Sequence, residues 1–241
     1  MSAFDRVLEA ARSATRRIVL PEASDTRILT AAIRADALGI AKPVLLGNSE
    51  SLLEAAGQLG STLSGIEIID PADSPNRPRY IEALVKKRAH KGMTAERAGN
   101  ALDDPVTFAC LMVSEGEADG CVAGAVTATA MVVSSAMRYV GKRDGEPLVS
   151  SCFVMLLKPE HPVRDAMVIG DCALVIEPDA EQLAHIASST GDTAIQLLGF
   201  EPEVAMLSFS TEGSARHASI TKVAQATAIA RDLRPGWRIV G

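Results

Sequence analysis

The sequence predicts an α/β protein of two domains, each a three-layer α/β/α arrangement, and three observations lead there. Short apolar runs of strand length alternate with longer stretches of helical spacing through the first 140 residues, the signature of strands joined by crossover helices. Charge and glycine interrupt that rhythm around Lys142–Glu146, after which the strand candidates crowd together. With 241 residues and 47% apolar side chains, there is material for one large or two modest cores.

An amphipathic helix opens the chain. Arg17–Leu20 reads as the first strand, and Pro21–Arg27 turns the chain into a helix that runs to about Leu38. Pro43–Leu46 is a second strand closed by Gly47, with Ser49 placed to cap the next helix through its hydroxyl. Ile66–Ile69 forms a third, followed by a proline-rich connector and a helix over Arg79–His90. Thr94 caps another helix, and Pro105 to Ser114 forms the next. The apolar segment Cys121–Ala123 suits a buried parallel strand, and Gly124–Val140 is a helical region rich in small residues. The first domain is thus assigned to residues 1–143 and the second to 144–241. In the second, Leu148–Leu157, Ala166–Ile169, Ala173–Ile176, Val204–Ser210 and Trp237–Val240 are strand candidates. Asp179 starts a long helix to about Leu198, and another covers Ala215–Asp232. A parallel strand is normally followed by a crossover helix, so ending at Gly241 leaves the architecture incomplete at the C-terminus.

A formal charge of −6 argues against general affinity for nucleic acid or anionic lipid while leaving room for a local basic pocket. The N-terminus lacks the apolar core of a secretory signal, and no run reaches the roughly 20 apolar residues of a membrane span, so a cytoplasmic location is expected. Cys110, Cys121, Cys152 and Cys172 are far apart and sit among apolar neighbours, which reads as buried, reduced thiols; no metal site is expected.

Chemistry concentrates at strand ends. Ser208-Phe209-Ser210-Thr211-Glu212-Gly213-Ser214 leaves an apolar strand and enters a helix, where hydroxyls and unpaired helix-start amides suit phosphate oxygens. The same residues also make an ordinary polar turn with Ser214 as cap. Gly124-Ala125-Val126-Thr127-Ala128-Thr129 repeats the pattern, and its small residues equally serve close packing of a helix. Arg88, His90 and Lys91 form a basic cluster at a helix end, either a phosphate clamp or cations placed favourably on the helix dipole. Arg27 lies one helix turn after Pro21-Glu22, placed either for an ion pair or for a ligand contact. Asp171 follows a strand and Gly170, placed either to orient a substrate and accept a proton or to cap a turn. No GxxxxGK[ST] or tight GxGxxG is present, which weakens nucleotide readings, including a hydroxy-acid dehydrogenase.

Eight stretches, taken together, resemble the phosphate acetyltransferase and phosphate butyryltransferase family, most closely its acetyltransferase branch. They are RIVLPEASDTRILTAA from Arg17, GIAKPVLLG from Gly39, RAHKGMT from Arg88, GEADGCVAGA from Gly116, VSSCFVM from Val149, IGDCAL from Ile169, EQLAHIA from Glu181 and VAMLSFSTEGSA from Val204. The resemblance implies an isocitrate/isopropylmalate dehydrogenase-like fold with a cleft between two α/β domains, a homodimer, and the interconversion of acetyl-CoA plus inorganic phosphate with acetyl phosphate plus CoA. CoA is then a substrate, and no cofactor is tightly bound. Arg88 is similar to an arginine that engages the CoA phosphates, Thr127 and Thr129 to the hydroxyl loop near the acyl phosphate, and Ser208, Ser210, Thr211, Gly213 and Ser214 to the family's SxST-x-GS loop.

Two departures from the family pattern stand out. Where the family has Asp-Thr-Leu/Ile-Arg-Pro, this chain has Met131-Val132-Val133-Ser134-Ser135, so Ser134 replaces an anion-binding arginine. Arg138, four residues on, shares that helical face and is the candidate substitute. The family's catalytic aspartate and its Ser–Arg pair belong to a C-terminal part that would follow Gly241. Both departures keep open a non-catalytic acyl-CoA-binding or regulatory domain, and the family itself admits a butyryltransferase-like enzyme.

Overall fold

The computed structural model describes residues 2–158, 160–162, 164–210 and 216–241. It forms two compact units, Leu8–Gly141 and Met1–Val7 with Lys142–Gly241. The chain therefore divides after Gly141, and its first seven residues join the second unit rather than the first. Ala3 and Val7 pack there with Ala166 and Leu198, and Arg6 pairs with Asp165 at 3.2 Å.

In the first unit, strands β1 (Arg17–Leu20), β2 (Lys42–Leu46), β3 (Glu67–Ile69) and β4 (Gly120–Cys121) form one parallel sheet in the order β3-β2-β1-β4. Successive strand side chains point to opposite faces, and two cores result. Val19, Val44 and Leu46 face one side, packed with Tyr80 and Leu84 of α4 (Arg77–Arg88), Ala98 of α5 (Ala95–Ala101), Phe108 and Met112 of α6 (Pro105–Ser114) and Tyr139 of α7 (Thr129–Tyr139). Leu20 and Leu45 face the other, with Leu29 and Ala32 of α2 (Thr26–Ala37) and Leu52 and Ala56 of α3 (Ser49–Gln58). Helices thus cover both faces of the sheet. Tyr80 meets the edge of Phe108 at 5.1 Å between ring centres, a favourable aromatic contact in the first core.

Side-chain caps start most helices where the sequence suggests. Asp25, Thr94, Asp104 and Asp179 each accept a backbone N–H of the first turn, and Asp179 with Gln182 completes a capping box on α8 (Ala180–Leu198). Ser49 does not cap α3, because Asn48 stands one residue earlier and its side chain takes the Ser51 amide at 3.1 Å. The helix expected over Arg79–His90 is α4 two residues earlier, followed by a short 3-10 turn over Ala89–Lys91.

In the second unit, β5 (Cys152–Leu156) and β6 (Ala166–Gly170) pair antiparallel, while β7 (Glu203–Ala205) and β8 (Arg238–Val240) pair parallel in a separate sheet. Helices α8 and α9 (Ala218–Leu233) pack together through Ala184, Ala187, Val223, Ala226 and Ala230. Gly191 sits where any larger side chain would collide with the Trp237 ring. The expected strand Ala173–Ile176 is a loop instead, since its amides are captured by Asp171. Strand Val204–Ser210 shortens in the same way: the Ser208 hydroxyl accepts the Ser210 amide and donates to the Ser210 carbonyl, so polar side chains outcompete the ladder. A groove of about 640 Å³, lined by β6, β7 and α8, separates the two small sheets.

Candidate functional site

Strand order places the first group of residues. From β1 the chain steps outward to β2 and β3, then returns to pair β4 on the opposite side of β1. The loops leaving β1 and β4 at the carboxyl edge of the sheet therefore part at a topological switch point, where open α/β sheets bind ligands. The first loop carries Glu22 and Asp25 and leads into α2, whose second residue is Arg27; the second carries Gly124–Thr127 and leads into α7.

These two loops are bonded to one another. Glu22 is only 7% exposed, and its carboxylate accepts four successive backbone N–H groups: Gly124 at 2.8 Å, Ala125 at 2.7 Å, Val126 at 3.1 Å and Thr127 at 2.6 Å. Burial alone pushes this carboxyl's pKa up, but the hydrogen bonds from Thr127, Ala125 and Val126 outweigh it and hold the group at about 2. Gly124 adopts φ 107°, a conformation that favours glycine and lets the amides converge. Arg27 pairs with Asp25 rather than Glu22, at 2.8 Å, and also donates to the Ala125 carbonyl at 2.8 Å.

Thr127 is half-buried and Thr129, the first residue of α7, is exposed. Ala128 occupies the N-cap and has no side-chain oxygen to offer, so the first-turn amides of α7 lie beside two hydroxyls without a capping acceptor. Such a corner suits phosphoryl oxygens.

Arg88 and Arg138 gather at the other end of α7, about 13 Å from Thr129 at 1.5 Å per residue. Arg88 donates to the Arg138 carbonyl at 3.4 Å, and Arg138 lies 3.5 Å from the Ser134 hydroxyl, on the face expected from their four-residue spacing. Lys87 hydrogen-bonds the Tyr139 carbonyl, completing a basic cluster where the C-terminal ends of α4 and α7 meet.

The second unit holds the rest. Asp171 accepts the Ser151 hydroxyl, the Ser151 amide at 3.1 Å, and the amides of Ala173 at 2.9 Å, Leu174 at 3.0 Å and Val175 at 3.2 Å. Burial opposes ionisation here too, yet the Ser151 hydroxyl and the Leu174 and Ala173 amides bring the carboxyl to about 2. Its oxygens are thus committed to its own loop and to Ser151 ahead of β5. Ser208 and Ser210 form a hydroxyl-bearing turn after β7, beside Phe209, whose ring meets His217 edge-on at 5.6 Å. Thr211, Gly213 and Ser214 lie outside the described residues.

The thiols divide. Cys110 is buried and Cys121 half-buried, and burial pushes their pKa values up to about 11 and 12, which suits packing rather than nucleophilic chemistry. Cys152, expected inside, is exposed on β5, and Cys172 is half-buried. Among the described residues no three His, Cys, Asp or Glu side chains gather as a metal-binding group, and no helix is long and apolar enough to cross a membrane. Glu22 is the residue that sequence reading undervalued. Its signal was a carboxylate at the switch-point loop, opposite a Gly-x-x-Thr turn, visible only once β1 and β4 are known to be neighbours.

The family described as "Phosphate acetyl/butaryl transferase" matches residues 2–241. The chain is 43% identical over its whole length to the phosphate acetyltransferase of Paracoccus denitrificans, covering 72% of that protein, and 43% identical to that of Thermoanaerobacterium thermosaccharolyticum, covering 73%. Its fold matches a phosphotransacetylase from Streptococcus pyogenes with a TM-score of 0.92 at 34% identity, over 99% of this chain and 71% of that one. An α/β chain with a hydroxyl loop at its switch point, matched in sequence from end to end, belongs to the phosphate acetyl/butyryl transferase family.

Proposed function

We propose that this chain acts as a phosphate acetyltransferase, converting acetyl-CoA and inorganic phosphate to acetyl phosphate and CoA. The observation that carries the reading is the 40–43% identity to three phosphate acetyltransferases over the full 241 residues. In the reaction a phosphate oxygen attacks the thioester carbonyl, the C–S bond breaks, and CoA leaves as its thiolate. The protein must hold the phosphate, stabilise charge at the carbonyl and align the two substrates.

The arrangement of the first unit supports a division of labour. Thr127, Thr129 and the open first turn of α7 receive the phosphoryl group. Arg88, about 13 Å away along α7, meets the phosphates at the far end of the long CoA molecule, and Arg138, against the Ser134 hydroxyl, reaches toward phosphate or the carbonyl in place of the arginine that the family has at Ser134. In the second unit the family's SxST-x-GS loop, Ser208, Ser210, Thr211, Gly213 and Ser214, is assigned to substrate binding by its resemblance, and Asp171 holds the loop that follows β6. The isocitrate/isopropylmalate dehydrogenase-like arrangement with a substrate cleft, the homodimer, the cytoplasmic location and the absence of a tightly bound cofactor belong to the same proposal.

The test is phosphate-dependent release of CoA thiol from acetyl-CoA, with propionyl- and butyryl-CoA alongside. Turnover of acetyl-CoA that requires phosphate is expected. CoA binding without turnover would favour the acyl-CoA-binding reading, to which Ser134 already points. Preference for butyryl-CoA would place the chain in the other branch.

A further inference from the structure

The amides of Gly124, Ala125, Val126 and Thr127 converge on one point. Successive N–H groups arranged this way form a concave anion site, the same device that loops use to cradle phosphate. Here the anion is built in: Glu22 reaches over from the loop after β1, about a hundred residues away in sequence, and fills it. A carboxylate so thoroughly desolvated is costly unless its lone pairs are met by donors, and four amides meet them. Arg27, forked on Asp25, holds the outer side of the same loop through the Ala125 carbonyl.

What this loop leads into matters. It ends at Ala128, the uncapped start of α7, so its setting decides where the first-turn amides and the hydroxyls of Thr127 and Thr129 point. We infer that Glu22 is a positioning residue. It takes the Thr127 hydroxyl as well as the Thr127 amide and so locks the loop after β4 with Thr129 and the start of α7 facing the phosphoryl group, and by occupying the four-amide nest it bars that group from binding one turn too early. The inference rests on the reading of this loop as the phosphoryl-binding element.

The experiment compares wild type, Glu22→Gln and Thr129→Ala in the 241-residue chain, by amide hydrogen exchange and by titration with acetyl phosphate and, separately, CoA. Glutamine keeps the shape but offers one acceptor oxygen and turns an NH2 group toward amide donors. In E22Q, exchange at residues 124–127 should rise by roughly 30-fold or more while the β1–β2 ladder is unchanged. Acetyl phosphate affinity should fall about tenfold or more, with CoA affinity held because its proposed contacts lie at the other end of α7. Thr129→Ala should weaken acetyl phosphate and leave loop exchange alone.

Unchanged loop exchange in E22Q overturns the inference, as does a loosened loop with intact acetyl phosphate affinity. So does uniform acceleration across the β1–β2 ladder, which would mark Glu22 as a general structural prop. If acetyl phosphate binds neither wild type nor T129A, the phosphoryl-loop reading fails, and the positioning role falls with it even where exchange shows the loop to be held. Should E22Q not fold, Glu22→Asp and Arg27→Ala, which loosen the same loop from inside and outside, carry both readouts.

Discussion

At the scale of single residues, the chain relies on two carboxylates wrapped in backbone amides, Glu22 in the first unit and Asp171 in the second. Both have pKa values lowered to about 2 from ordinary values of 4.5 and 3.8. A depressed carboxyl pKa means the folded state holds its proton less tightly than the unfolded state. The stabilisation is therefore complete above the ordinary values and is lost as pH falls from about 4.5 toward 2. Thermal melts should show a steep decline through that window, shallower in Asp171→Asn. At neutral pH the same substitution should destabilise by about 1–3 kcal/mol, because amides are left without an acceptor; a melting temperature within error of wild type at pH 7 would contradict this. Neither role was visible in the residue itself. Asp171 read as a proton acceptor or, more readily, a turn former, and only the converging amides of Ala173, Leu174 and Val175 show what its oxygens do.

Among the elements, α7 shows best how stability and function pull apart. Ala128 is a poor N-cap, and replacing it with Asp should stabilise the helix by about 1 kcal/mol. The new carboxylate would also occupy the amides proposed for the phosphoryl group and repel it. A128D is therefore expected to melt higher and bind acetyl phosphate at least about tenfold more weakly; equal or tighter binding would remove α7's first turn from the site. Toward the opposite end, Arg138→Ala should weaken phosphate binding if Arg138 serves in place of the arginine missing at Ser134. Unchanged affinity would leave that substitution uncompensated. Some helix starts were legible because capping is local: Thr94 and Asp179 announce themselves, whereas Ser49 read as the cap that Asn48 provides. Strands were less so. The run Ala173–Ile176 is apolar enough for a strand, yet its fate was settled by an aspartate and by Ser151, twenty residues upstream.

Across the whole molecule, the two units differ in how well each is closed. The first buries both faces of a continuous four-stranded parallel sheet. The second splits four strands into two pairs with a groove between β6 and β7, and Met167, Ile169, Leu207 and Val240 remain exposed around it. Trp237, the single tryptophan of the sequence, lies in the second unit, with the Arg234 guanidinium 4.8 Å from its ring centre. Its fluorescence should report the second unit and show a lower urea midpoint than helical circular dichroism. Coincident transitions would mean that the two cores unfold as one.

The sequence by itself determined the α/β class, most of the helices to within a few residues, the family and the two hydroxyl loops, because periodicity, caps and motif order are properties of neighbouring residues. Tertiary structure decided what those loops are fastened to. That Glu22 fills the nest at Gly124–Thr127, that Arg27 reaches the Ala125 carbonyl, and that Arg88 meets Arg138 all depend on strand order and helix packing. These contacts join residues 50 to 105 positions apart, and no local pattern records which loop a sheet will bring beside another.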